Sequence, residues 1–79
     1  MTVKIKVRFH GLLNDLNLSL DVNENFEKAI EDVSRFLNLS LKELAQYMIL
    51  VNGKIIIRDQ RKKLMNGDVL TFVPMVSGG

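Results

Sequence analysis

Asn25-Phe26-Glu27-Lys28-Ala29-Ile30-Glu31-Asp32-Val33-Ser34-Arg35-Phe36-Leu37-Asn38 is the stretch in which the hydrophobic period of this chain changes. Its apolar residues Phe26, Ala29, Ile30, Val33, Phe36 and Leu37 recur at spacings of three and four, and Glu27, Lys28, Glu31, Asp32 and Arg35 take the other side. Side chains at those spacings share one face of an α-helix, so the stretch predicts an amphipathic helix with one apolar stripe that belongs to a core. Asn25 or Asn23 suits its N-cap and Asn38 its exit.

On either side of the helix the period is that of strands. Toward the N-terminus, Val3, Ile5, Val7 and Phe9 alternate with Lys4, Lys6 and Arg8, the pattern of a half-buried strand. His10-Gly11 and Asn14-Asp15 punctuate a loop, and Leu18, Leu20 and Val22 alternate with Ser19 and Asp21 as a second strand, close enough to pair with the first as a hairpin. Toward the C-terminus, Ser40-Leu41-Lys42-Glu43 spells a capping box for a short helix through about residue 46. Residues 47–51 form an apolar run, Asn52-Gly53 signals a tight hairpin turn, and residues 54–57 are the returning strand. A polar loop at 58–63 and a turn at Asn66-Gly67-Asp68 lead to a last strand over 69–73, which should end at Pro74 because proline donates no ladder hydrogen bond.

A helix between two hairpins buries every apolar face if one mixed sheet of four to five strands carries it on one side, with the short second helix beside it. This α+β class admits the first and last strands as parallel neighbours, which is the β-grasp, or ubiquitin-like, arrangement; an open sheet of another topology is the alternative. Residues 1–73 read as one domain and 74–79 as a flexible tail.

Composition narrows the chemistry. A chain of 79 residues has room for one core and a thin stability margin. With no cysteine it has no disulfide, iron–sulfur ligand or thiol nucleophile, which fits a reducing, cytoplasmic setting. The single His10 builds no zinc site, and a formal charge of +2 does not by itself imply nucleic acid. No window has the length of a membrane span. His10 reads as a solvated turn residue, Asp68 as a shaper of its turn, and Arg58, Arg61, Lys62 and Lys63 as a solvated basic loop.

The tail, Pro74-Met75-Val76-Ser77-Gly78-Gly79, ends on two residues without a Cβ. If the chain finishes there, the Gly79 carboxylate can be threaded through a slot too narrow for any side chain and presented as a reacting group; the alternative is a frayed end or a cloning remnant. Leu70 and Phe72 read as core, and Thr71 marks the outward side of the last strand. Val73, with Met75 and Val76, then forms an apolar patch at the root of the tail, bordered by Lys4, Lys6 and Arg8. Such a patch fits a partner-binding surface. The alternative is a charged sheet face that keeps the protein in solution.

The run from Leu64 to Gly79 resembles the C-terminal third of ubiquitin-like sulfur carriers, which show Leu-x-x-Gly-Asp, an apolar strand and a terminal Pro-x-Val-x-Gly-Gly. Val51-Asn52-Gly53 is also usual there, and Phe72-Val73-Pro74 is most similar to the small subunit of molybdopterin synthase. The resemblance implies a mechanism. A ubiquitin-activating-enzyme-like partner would use Mg·ATP to adenylate Gly79, and a sulfur donor protein would convert it to a thiocarboxylate. Gly78 would allow the threading, and the sulfur would be delivered in the active site of the molybdopterin synthase large subunit. It implies no catalytic side chain, cofactor or metal in this chain and neither nucleic acid nor membrane as partner. A ubiquitin-like modifier joined to lysines, and a carrier for tRNA thiolation or thiazole synthesis, share the same reacting group.

Overall fold

Alternating apolar and basic residues satisfy two unlike environments only as a strand. In the computed structural model, which describes residues 1–10, 16–56 and 63–74, Thr2–Phe9 does so as β1. Ile5 and Val7 are buried, and Lys4, Lys6 and Arg8 are exposed. β2 (Leu16–Asn23) pairs antiparallel with it over the whole length, from Thr2↔Asn23 to Phe9↔Leu16. It begins earlier than its alternation suggests, because Leu16 and Asn17 join the ladder opposite Phe9 and Arg8.

α1 (Phe26–Leu37) opens at Asn25, whose Oδ1 accepts from the Lys28 N–H at 3.1 Å. Asn23 supports that cap by accepting from the Asn25 N–H at 2.8 Å. The helix closes at Asn38, left-handed at φ 58°, a conformation that asparagine tolerates better than most residues. α2 (Leu41–Leu44) has the expected capping box: the Glu43 N–H donates to Ser40 Oγ and the Ser40 N–H to Glu43 Oε1. It stops two residues short of the expected end.

Phe36 departs from the expected core stripe, being 60% exposed. The helix is rolled toward its other flank, where Ser34 is buried. A buried hydroxyl is tolerated there because Ser34 Oγ donates to the Glu31 carbonyl at 2.8 Å.

β3 (Tyr47–Val51) turns through Asn52 (φ 53°) and Gly53 (φ 83°) into β4 (Lys54–Ile55). The two positive φ values are those of the hairpin turn that Asn-Gly favours. β4 is shorter than expected; Ile56 still donates its N–H to the Ile49 carbonyl at 3.2 Å, and Ile57 lies outside the described residues. Of the basic loop only Lys63 is described: it forms a bridge with Asn25 and an ion pair with Glu24 at 3.7 Å, which fastens it to the start of α1.

β5 (Val69–Pro74) ends at the proline, as expected. The five strands form one sheet in the order β2-β1-β5-β3-β4, with β1 and β5 parallel and the other neighbours antiparallel. This is the β-grasp. Ile5, Val7, Leu20, Val22, Val51, Leu70 and Phe72 from the sheet meet Ala29, Val33, Leu44 and Leu64 to make the core.

Candidate functional site

β5 leads into the tail, and the fold grips it on every side. Leu70 and Phe72 have no exposed surface. The strand lies between β1, in register Lys6↔Val69 to Phe9↔Phe72, and β3, in register Tyr47↔Pro74 to Val51↔Leu70.

At its start a corner fixes the register. Asp68 accepts the Met65 N–H (2.9 Å) on one carboxylate oxygen and Asn52 Nδ2 (3.0 Å) on the other. Asn52 Oδ1 accepts the Val69 N–H at 2.9 Å, and Asn66 Oδ1 accepts the Lys4 N–H at 2.8 Å. Val51-Asn52-Gly53 and Gly67-Asp68, far apart in sequence, are thus two halves of one hydrogen-bonded corner. Asp68 shapes its turn, as expected, and also ties it to the β3–β4 hairpin.

At its end aromatic rings hold the strand. Phe9 stacks on Phe72 with centroids 4.5 Å apart, and Tyr47 meets both rings edge-on. The His10 N–H donates to the Phe72 carbonyl at 2.9 Å, so this half-buried residue continues the β1–β5 pairing instead of standing free in a turn. The root of the tail therefore leaves from a fixed point at Pro74.

Register also decides what the outer face of the sheet presents. Residues paired across strands share a face. Val69 and Thr71 therefore stand beside Lys6 and Arg8, Thr71 beside Leu50, Leu50 beside Ile55, and Val73 beside Met48. Val69, Met48, Leu50 and Val73 are half-buried, and Ile55 is 60% exposed. Lys4, Lys6 and Arg8 line one side of this apolar row; Arg8 Nε donates to Asn17 Oδ1 at 3.1 Å, and among the described residues none of the three forms an ion pair.

The structure thus brings Val73 together with Lys4, Lys6 and Arg8 on one face. Met75, Val76, Gly78 and Gly79 lie outside the described residues. Met48, Leu50 and Ile55 were missed by the sequence reading, since a continuous apolar run carries no parity to say which residues face out. Only the pairing of β3 with β5 supplies it. Among the described residues no group of three or more His, Cys, Asp or Glu side chains could hold a metal ion, and no helix is long and apolar enough to cross a membrane.

Comparison with known proteins gives a family match and structural neighbours. A family model described as the ThiS family matches residues 7–79. A chain from the complex of subunits 1 and 2 of the molybdopterin-converting factor of Helicobacter pylori 26695 is similar at 28% identity and a TM-score of 0.68. The match covers 98% of this chain and 100% of that one. The small archaeal modifier protein 1 of Methanosarcina acetivorans shares the fold at 18% identity and a TM-score of 0.69, over 100% of this chain and 99% of that one. The ubiquitin of Caldiarchaeum subterraneum shares it at 17% identity and 0.59, over the whole of both chains. No curated protein matches the chain.

Proposed function

The chain belongs to the ThiS family, whose members are β-grasp sulfur carriers, and from that premise we propose that it is the small, sulfur-donating subunit of a molybdopterin synthase. The observation that carries this choice of pathway is the likeness to the Helicobacter pylori chain, which spans nearly the full length of both proteins. In this reading the Gly79 carboxylate attacks the α-phosphorus of Mg·ATP in an adenylating partner, and pyrophosphate leaves. A sulfur donor then acts on the acyl carbon, AMP leaves, and the C-terminus becomes a thiocarboxylate. That sulfur is softer and more nucleophilic than the oxygen it replaces, and the tail delivers it in the large subunit's active site.

In this reading the body of the domain need supply no acid, base or metal. It holds the root of the tail, and it offers a surface for recognition. The apolar row with Val73 at its tail end, rimmed by Lys4, Lys6 and Arg8, fits such recognition. Desolvating the row supplies affinity, and the cations fix orientation against carboxylates of the partner. In sequence, Met75 and Val76 carry apolar character on past Pro74.

The test is intact mass after incubation with the cognate adenylating enzyme, Mg·ATP and a sulfur donor, followed by addition of the large subunit with its pterin substrate. The expected result is an oxygen-to-sulfur exchange at Gly79 that is reversed as the pterin gains sulfur. A chain lacking Gly79 should fold normally and do neither. A thiocarboxylate that forms but never passes to the pterin would sink the pathway. Isopeptides between Gly79 and lysines of other proteins would assign the chain as a modifier instead.

A further inference from the structure

Asn52-Gly53 and Asn66-Gly67 are both exposed, and glycine after asparagine leaves the following N–H open to attack on the side-chain amide. The fold restrains the two sites differently. At Asn66 both the attacking nitrogen and the carboxamide are engaged: the Gly67 N–H donates to the Lys4 carbonyl at 2.9 Å, and Asn66 Oδ1 accepts from the Lys4 N–H at 2.8 Å. At Asn52 it is the carboxamide that is held, its Oδ1 accepting from the Val69 N–H and its Nδ2 donating to Asp68 Oδ1.

We infer that Asn52 is a site of spontaneous deamidation that the Asp68 clip holds back, and that its conversion opens the corner from which β5 starts. In this step the Gly53 nitrogen gives up its proton and bonds to Asn52 Cγ. The Cγ–Nδ2 bond breaks, and ammonia leaves with that proton. Water opens the resulting succinimide, leaving aspartate or isoaspartate at position 52; nothing is oxidised or reduced. Ring closure requires the carboxamide to leave both partners and swing back onto its own backbone, so its rate follows the fraction of time the clip is open.

After conversion the clip cannot re-form. A carboxylate has no N–H to give, and it would face Asp68 Oδ1 where the amide had spanned 3.0 Å. Two carboxylates at such a distance repel. Isoaspartate would also lengthen the backbone of a turn that needs positive φ at Asn52 and Gly53. The change is therefore one-way: the first event removes the restraint that opposed it.

Peptide mass mapping of the full-length folded protein follows amide-to-acid conversion at positions 52 and 66 separately. Asp68→Ala should speed conversion at 52 about tenfold, the factor that one or two hydrogen bonds of ordinary net strength correspond to. Equal rates in the parent and the variant would overturn the inference. Because Asp68→Ala also loosens the fold, melting of N52D and N52D/D68N gives a second reading. N52D should melt below the parent. N52D/D68N, which restores a carboxylate–carboxamide pair with its polarity reversed, should recover most of the loss. An N52D that melts with the parent, or a double variant no more stable than N52D, would equally overturn it.

Discussion

Phe72 is fully buried with its ring stacked on Phe9, so removing it leaves a cavity in the core. Phe72→Ala should cost about 3–5 kcal/mol, a large part of the roughly 5–15 kcal/mol that small domains possess. A denaturant titration checks this, and a loss below that of an exposed-site control such as Phe36→Ala would contradict the burial. Under the proposed function Gly78 lets the tail thread a narrow channel. Gly78→Ala should leave the melting curve and the affinity for the adenylating enzyme almost unchanged, yet slow thiocarboxylate formation by roughly a hundredfold, because a Cβ displaces the carboxyl from line with the phosphate. Single-turnover kinetics separate the two. At this scale the sequence was legible wherever residues alternate: Ile5, Val7, Leu70 and Phe72 point inward as their spacing requires. It was misleading at Phe36, because a helical stripe has flanks as well as a centre, and a count of spacings does not say which flank rolls toward the sheet.

β5 is the element on which fold and function meet. Its inner residues anchor it, and under the proposed function its outer residues are offered to a partner, so the two faces should respond oppositely to the same kind of change. Val73→Asp, and Leu50→Asp on the neighbouring β3, should weaken binding to the adenylating enzyme or large subunit by about tenfold or more, with only a small shift in melting temperature. Leu70→Asp should unfold the domain. Paired calorimetric titrations and thermal melts decide this, and equal destabilisation by all three would mean that the outer row is structural. The helices and turns were legible because caps and Asn-Gly signals are local: the Asn25 cap, the Ser40–Glu43 box and the Asn52-Gly53 turn all appear where the sequence puts them. The apolar row was not legible as a whole, because it is assembled from three strands whose register is a long-range fact. Likewise, no local reading could join Asn52 to Asp68 across a separation of 16 positions.

Over the whole molecule the formal charge is only +2, but Lys4, Lys6 and Arg8 concentrate positive charge along one side of one face. Association with an acidic partner surface should therefore be steered, with an on-rate that falls as salt shortens the screening length from about 10 Å at 0.1 M. Replacing Lys6 and Arg8 together by alanine should lower the on-rate at low salt and flatten its salt dependence, while dissociation changes less. Stopped-flow measurements over a salt series provide the check, and an unchanged slope would remove the basic rim from the recognition surface.

The parallel pairing of β1 with β5 has a mechanical consequence. The N-terminus enters at one end of β1, and the tail departs from the opposite end of its neighbour. Tension between them loads the rungs from Lys6↔Val69 to Phe9↔Phe72 in shear, all at once, and not one after another as in an unzipping hairpin. The ladder is bolted at each end, by Lys6 N–H on the Asp68 carbonyl and His10 N–H on the Phe72 carbonyl, both at 2.9 Å. Under the proposed function the tail is a thread drawn into and out of other molecules; the pull then falls on this sheared ladder, and the thread can be tugged without ravelling the cloth.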